Sequence, residues 1–299
     1  MIHIDSVSLL HEISGFDKPT HPLITIIDVA KMVISPEQVG MKMTSGLYTI
    51  GMKDKSCGVL YGRNPYDFDE GVLYFAAPNQ VHSVIRAQEL NEIQGWMMFF
   101  HPDLIRNTAL GQKIDSYKFF DYSVHEALHL SEAEQKTITD CVGLIKEEIS
   151  ERIDNHSQEV IASSLQLLLN LSTRYYERQF NTRSATHNDV VTQFQTLLKD
   201  YYNTGQFTEI GTPSVEYFSD RVHLSANYLS DLLKKETGLN TKEQINHFII
   251  DKAKTLLLSE SDSISGIAYT LGFNYPHYFS RLFKSKTGMT PQEYRQADQ

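Results

Sequence analysis

The hydrophobic pattern changes its period partway along the chain. Up to about residue 100, apolar residues form short runs rich in β-branched and aromatic side chains, separated by clusters of Gly, Pro and Asp. After about residue 131, apolar residues recur every three or four positions. The first pattern predicts strands and the second predicts helices with one buried face. The predicted strands are residues 23–29, 47–52, 58–61, 72–76 and 93–100. We therefore expect an α+β protein, with a sandwich or small β-barrel followed by helices.

Two long helices are predicted directly after the β-rich part. Ser131 and Glu134 have the spacing of a capping box, which sets a helix start. A second helix is predicted from Ser157 to Phe180. Two adjacent apolar stripes run along it: Ile161, Leu165, Leu168 and Ser172, and Val160, Ser164, Leu167 and Leu171. A surface this wide can cover the β-rich part and also meet a partner helix, although burial within one subunit is the alternative.

A repeated unit occupies the C-terminal part. Ile264, Ile267, Ala268 and Leu271 predict a short helix, Gly272 a turn, and Asn274 the cap of a second helix that begins near Pro276. Fifty residues earlier the same order of residues appears, since Tyr228, Ser230, Leu232, Lys234, Thr237, Gly238 and Glu243 recur at 278, 280, 282, 284, 287, 288 and 293. A helix over 241–258, capped by Thr241 and Gln244, joins the two copies. The repeat predicts tandem helix-turn-helix motifs, whose second helices can enter the major groove of DNA.

The phrase IAYTLGFNYPHYFSRLFKSKTGMTPQEYR and the joining segment INHFIIDKAKTLLL closely resemble the AraC/XylS family of bacterial transcription regulators. The resemblance covers roughly residues 190–297. It implies an all-α DNA-binding domain whose two recognition helices enter major-groove segments roughly 34 Å apart. It also implies an N-terminal sensor domain and a dimer formed through the helices near 131–180.

The N-terminal part carries a shorter resemblance. Gly71, Pro78 and His82 have the spacing of the second cupin motif, with Val72 in place of an acidic residue. The expected organisation is therefore a cupin-like β-barrel with helices over 1–182 and a DNA-binding domain over 189–297. The polar residues 181–188, NTRSATHN, are predicted to be a linker.

Candidate DNA contacts follow from the two recognition helices. His277 and Arg281 share one helical face, and Arg can bind guanine through two donors. The matching residues of the first motif are Asn227 and Asp231, with Ser230 beside them; Asn suits adenine and Asp can accept from cytosine. Lys234, Lys284 and Lys286 are predicted to contact phosphate. The alternative for each set is an exposed, solvated helix face.

The charge distribution restricts the mode of DNA binding. The chain has 27 Lys and Arg against 37 Asp and Glu. Up to residue 185 there are 16 basic and 24 acidic residues, whereas the remainder has 11 and 13. From Ser263 to Gln292 there is no acidic residue at all. Because affinity depends on cations that face phosphates, tight binding should need base contacts in addition.

An enzyme is the main alternative class. His125, Glu126 and His129 spell the H-E-x-x-H zinc-protease signature, which requires a helix. The helix start at Ser131 lies beyond them, so this interpretation is disfavoured. A cupin-type metalloenzyme with an accessory helical domain would need more ligands than His82 alone.

The remaining expectations concern partners and location. No cofactor or metal is expected, and no catalytic residue is assigned. The expected partners are double-stranded operator DNA and a second copy of the chain, with RNA polymerase and a small-molecule effector as further candidates. No signal peptide or run of about 18 apolar residues is present, so a cytoplasmic protein without membrane contact is expected.

Overall fold

A computed structural model describes residues 2–32, 42–53, 71–83, 95–122, 126–151, 153–182, 184–259 and 262–296. The chain divides into two compact units, residues 1–182 and 183–299. The first contains all the described strands, and the second contains only helices among its described residues. The α+β class predicted from the hydrophobic pattern is therefore confirmed.

The described strands of the first unit form two sheets. Their bounds are β1 Ile2–Ile4, β2 Ile24–Asp28, β3 Lys42–Ser45, β4 Tyr48–Lys53, β5 Val72–Ala76, β6 Val81–Ser83, β7 Gly95–Phe100 and β8 Leu128–His129. One sheet has the order β1-β3-β6 and the other has the order β2-β7-β4-β5-β8. Neither sheet closes on itself, so the predicted cupin-like barrel is not shown by the described strands. The predicted strand over 58–61 lies outside the described residues.

Successive side chains along each strand point to opposite faces of the sheet. Register pairs Ile50 of β4 with Phe75 and Met98, which places these three apolar side chains on one face of the larger sheet. Phe75 contacts Phe119, with ring centroids 4.3 Å apart. On the other face, Ile27 and Phe99 join a core that includes helix α1, Val7–Ile13. The larger sheet is therefore covered on both sides.

A short helix, α2 Ala109–Lys113, is followed by two long helices, α3 Glu132–Ser150 and α4 Ser157–Thr182. The two long helices pack on each other. The predicted capping box at the start of α3 is confirmed, since Ser131 and Glu134 bond reciprocally. Arg178 of α4 donates two hydrogen bonds to the Glu134 carboxylate, at 3.0 and 2.8 Å. This paired contact fixes the end of α4 against the start of α3.

The second unit consists of helices α5 Ser184–Asn203, α6 Gln206–Ile210, α7 Val215–Val222, α8 Ala226–Thr237, α9 Thr241–Ser259, α10 Ile264–Thr270, α11 Pro276–Thr287 and α12 Pro291–Gln296. Helix α9 contacts α8, α10, α11 and α12, so it joins the two halves of the repeat. Helix α5 packs on α7 and α8, and Phe194 lies 5.1 Å from Phe218 between ring centroids.

The predicted linker over 181–188 contains the boundary between the two units, after residue 182, but it is helical rather than a loop where the structure describes it. Residues 181–182 end α4, and residues 184–188 begin α5. The segment is polar, but it contains neither Gly nor Pro. Ser, Thr and Asn are only weak helix formers, and their cost is small enough for a neighbouring packed helix to extend through them.

Candidate nucleic-acid interface

The recognition helix of the first motif, α8, begins with a side-chain cap. The Ser225 hydroxyl accepts a hydrogen bond from the Tyr228 amide at 3.2 Å. Gly238 ends the helix in a left-handed conformation, with φ at 82°. Leu229 and Leu233 are completely buried. Capping, termination and the apolar spacing all agree on the same helix.

The recognition helix of the second motif, α11, begins differently from the prediction. Asn274 was expected to cap it, but Tyr275 occupies the cap position and provides no side-chain hydrogen bond. Pro276, which lacks an amide hydrogen, fills the first helical position. In this motif the cap residue, Tyr275, follows the left-handed turn residue, Gly272, by three positions. In the first motif the cap residue, Ser225, follows the left-handed residue, His223, by two positions. The longer turn moves the cap one residue beyond Asn274.

The predicted DNA contacts of the second motif lie together on an exposed surface. His277, Arg281 and Lys284 are spaced by four and three residues along α11, so they share one side of the helix, and all three are exposed. Lys286 is also exposed, further along the same helix. An exposed guanidinium one turn from an imidazole can donate to base edges, with the lysines beside it near phosphate.

The predicted contacts of the first motif are less accessible. Asn227 and Asp231 are half-buried, whereas Lys234 is exposed. The Ser230 hydroxyl donates a hydrogen bond to the Thr241 hydroxyl at 3.0 Å. This bond links α8 to the start of α9, which gives Ser230 a structural role in addition to any contact with DNA.

Exposed aromatic side chains beside His277 were not predicted. Tyr275 is 59% exposed and Tyr278 is 54% exposed. The rings of Tyr275, His277 and Tyr278 contact one another, with centroids 4.3–5.9 Å apart. The sequence pattern gave no signal for this exposure, because Tyr228 has the equivalent position in the first motif and is buried. Tyr275, His277 and Tyr278 are here called the aromatic cluster of α11.

The joining helix α9 has a different cap from the one predicted. Thr241 and Gln244 were expected to cap it, but Thr241 is completely buried and Asn240 is the capping residue. The Glu243 amide donates to Asn240 Oδ1, and the Asn240 amide donates to Glu243 Oε2, both at 2.9 Å. The pattern is a capping box moved by one residue, in which Asn takes the place of Ser or Thr.

A second connection between the motifs runs through backbone atoms. The Thr212 amide, just after α6, donates to the Gly272 carbonyl in the turn of the second motif at 3.1 Å. A Cβ atom on Gly272 would lie only 2.8 Å from the carbonyl carbon of Gly211. The Tyr201 hydroxyl donates to the Gly211 carbonyl at 2.8 Å, and burial raises the pKa of that hydroxyl. This glycine junction, Gly211 with Gly272, holds the segment before the first motif against the turn of the second.

Where the structure describes them, the features that suggested metal chemistry do not assemble into a site. Within the described ranges, no group of three or more His, Cys, Asp or Glu side chains could hold a metal ion. Of the H-E-x-x-H residues, His125 lies outside the described residues, and His129 belongs to strand β8 rather than to a helix. The prediction that this segment precedes the helix is therefore confirmed. Among the residues that the structure describes, no helix is both long and apolar enough to span a membrane.

The C-terminal unit matches a known domain. A family model described as a helix-turn-helix domain matches residues 218–297. This range covers both recognition helices, the joining helix α9 and α12.

Curated relatives are similar to parts of the chain of different length. The HTH-type transcriptional activator RhaS of Escherichia fergusonii is 39% identical over 83 residues, 28% of this chain and 30% of the relative. The RhaS of Enterobacter sp. is 25% identical over 244 residues, 79% of this chain and 80% of the relative. The stronger matches thus span about a third of the relatives' own length.

A solved structure also resembles part of the chain. The C-terminal domain of the response regulator yesN from Fusobacterium nucleatum is 28% identical and covers 34% of this chain and 96% of its own, with a TM-score of 0.30. Both RhaS relatives are named as transcriptional activators. Residues 218–297 therefore form a domain that matches the helix-turn-helix family model.

Proposed function

We propose that the chain is a sequence-specific DNA-binding transcription regulator of the AraC type. The observation that carries the proposal is the pair of recognition helices, α8 and α11, in a region that matches a helix-turn-helix domain. Two such helices joined by one helix can enter two segments of a major groove on one face of a duplex. As a regulator of bacterial transcription, the protein would act in the cytoplasm, where operator DNA and RNA polymerase are its partners.

The charges of the second motif support binding to DNA. Arg281, Lys284 and Lys286 are exposed, and no acidic residue occurs between Ser263 and Gln292. Cations on an exposed helix displace counterions from phosphates, which gives affinity without sequence preference. Arg281 can add a preference for guanine through O6 and N7. We expect His277 and Arg281 to contact base edges, and Lys284 and Lys286 to contact phosphates.

The first motif is proposed to make a weaker and more selective contribution. Asn227, Ser230 and Asp231 would face base edges, and Lys234 would face phosphate. A half-buried carboxylate at Asp231 adds no attraction to phosphate, so its value lies in rejecting sequences that do not offer a donor such as cytosine N4.

The N-terminal unit is proposed to be a cupin-like sensor domain that responds to a small molecule and pairs two copies of the chain. Support for pairing comes from helix α4. Its first stripe is buried, but Val160 and Leu167 of the second stripe are 44% and 47% exposed, and Leu144 of α3 is exposed nearby at the groove that Val160 lines. Apolar side chains that remain exposed along two packed helices suit a partner helix with the same surface.

The experiment for DNA binding uses the full chain and duplexes selected from a random pool. Selection should yield a defined sequence that binds more tightly than random duplex of equal length. Arg281→Ala should weaken binding to that sequence by about 1–3 kcal/mol and relax the choice at one base pair. Lys284→Ala is the matched control, because it should weaken all duplexes alike and reduce the salt dependence. Equal losses on selected and random DNA for Arg281→Ala would reject its base-reading role, and failure of selection would reject the proposed function.

The experiment for pairing uses sedimentation of the full chain. Val160→Asp combined with Leu167→Asp places two charges in the proposed seam, which costs several kcal/mol if water is excluded. Since both side chains are exposed, the variant should keep its circular dichroism but sediment as a monomer. Leu258→Asp, at an exposed position in α9, is the control and should remain dimeric. A dimer that survives the double substitution would exclude this surface as the interface.

A further inference from the structure

The aromatic cluster of α11 is the feature for which the helix-turn-helix fold gives no structural reason. The repeat places Tyr278 where the first motif has Tyr228, which is 4% exposed, whereas Tyr278 is 54% exposed. Helix α8 packs against α5 as well as α7 and α9, and α11 packs against α9, α10 and α12. The tyrosine that contributes to the core in the first motif therefore contributes to the surface in the second.

The cluster is held in a fixed shape by its own contacts. The His277 ring lies 4.3 Å from the Tyr278 ring, and the Tyr275 ring lies edge-on to Tyr278 at 5.9 Å between centroids. Pro276 restricts the backbone between them. Aromatic side chains have only two rotatable bonds, so rings that already touch lose little conformational freedom when they bind a partner.

The surroundings of the cluster identify the kind of partner. Arg281 follows Tyr278 by three residues, which is about 4.5 Å along the helix axis, between the rise of one base pair and that of two. The neighbouring charged residues on α11 are all basic. The thymine methyl group is the apolar feature that the major groove of DNA displays, and apolar side chains recognise it by contact.

We propose that Tyr278, supported by Tyr275, reads a thymine methyl group within one or two base pairs of the guanine contacted by Arg281. The inference rests on the proposed function and makes it more specific. It assigns sequence selection to a side chain that has no charge, and it predicts that the operator contains a thymine at a fixed distance from the Arg281 contact.

The experiment compares thymine with deoxyuridine in the duplex selected by the full chain. Deoxyuridine lacks only the 5-methyl group, so base pairing and charge stay the same. Replacing one thymine near the guanine contacted by Arg281 with deoxyuridine should reduce the affinity of the unaltered protein about threefold to tenfold. Tyr278→Ala should bind the thymine duplex more weakly by a similar factor and should no longer respond to the substitution.

Two further variants make the result specific to this ring. Tyr278→Phe should keep the response to deoxyuridine, because the ring is retained and only the hydroxyl is lost. Tyr269→Ala removes another exposed tyrosine, on α10, and should also keep it. An equal response to deoxyuridine in Tyr278→Ala and the unaltered protein would overturn the proposal. Unchanged DNA affinity in Tyr278→Ala would also overturn it and would indicate that the cluster faces a protein. If no duplex is selected at all, the proposed function itself fails.

Discussion

In the first motif Tyr228 is buried by packed helices, whereas the equivalent Tyr278 of the second motif is exposed. The recognition helices also differ in charge, because Arg281 of the second motif stands in the position of Asp231. The buried positions are closely matched, since Leu229 and Leu233 correspond to Phe279 and Phe283, and all four are completely buried. The exposed positions differ in charge, size and accessibility: Asn227 against His277, and Asp231 against Arg281. A duplicated fold has therefore kept its core while the two surfaces diverged. We infer that the second motif supplies most of the affinity for DNA and the first adds discrimination.

The largest expected effect tests whether the two cores are equivalent. Phe279→Ala should lower the free energy of unfolding of the C-terminal unit by about 3–5 kcal/mol, and Leu229→Ala by about 2–5 kcal/mol, because each removes a fully buried side chain. Urea unfolding of the full chain, followed by circular dichroism, measures both. The single tryptophan, Trp96, lies in the N-terminal unit and provides an internal control by fluorescence, which should not change. A loss of stability in only one of the two variants would show that the C-terminal unit does not depend on the core of the other motif.

The next effect tests the difference in charge. Asp231→Asn removes a negative charge from a helix that faces DNA in the proposed complex. Affinity for random duplex should rise by up to about 1 kcal/mol at low salt, as expected when one negative charge near phosphate is removed. Discrimination among selected duplexes should fall at one C·G pair. Titrations at two salt concentrations check both outcomes, and unchanged random binding would mean that Asp231 does not face the DNA.

A smaller effect tests the two helix starts. Ser225→Ala removes the cap of α8 and should destabilise the C-terminal unit by about 1 kcal/mol. Asn274→Ala should change its stability by less than about 0.5 kcal/mol, because Asn274 lies before the cap position of α11. Thermal unfolding of the two variants under identical conditions gives the comparison. Equal destabilisation would indicate that Asn274 has a capping role after all.

The smallest effect concerns the start of α12, which follows the second motif. The Thr290 backbone amide and hydroxyl bond to Glu293 and lower its pKa below the ordinary value of 4.5. Since the folded-state pKa is the lower one, this contribution to stability is present above about pH 4.5 and is lost as the pH falls through the folded-state pKa. Glu293→Gln should therefore flatten the loss of thermal stability as the pH falls below about 4.5. The same slope in both proteins would show that the carboxylate contributes nothing measurable.

Local signals in the sequence were sufficient for most helices. The Ser131 and Glu134 pair predicted the start of α3, and the predicted bounds of α9 and α10 agree with the structure within one or two residues. The short strands β1, β3 and β6 were missed, because three or four residues carry too little pattern and each depends on distant partners. Register with a partner strand is a tertiary property that no local pattern contains.

For the candidate interface, the sequence predicted which helix positions share a face but not how deeply each is buried. Nothing in the repeat distinguished Tyr228 from Tyr278, because burial depends on the packing of α5 against α8. The cap of α11 was missed for a related reason: the turn is one residue longer than in the first motif, and its conformation depends on contact with Gly211.

The glycine junction has a consequence for how the C-terminal unit opens. Because the Thr212 amide is bonded to the Gly272 carbonyl, its hydrogen can exchange with solvent only when segments sixty residues apart separate. The two motifs should therefore not behave as independent modules that fray one at a time. We expect the Thr212 amide to exchange with the same free energy as the most protected amides of α9, as in a single cooperative folding unit. A protein that bends DNA with such a unit would keep its own shape and transfer the strain to the duplex.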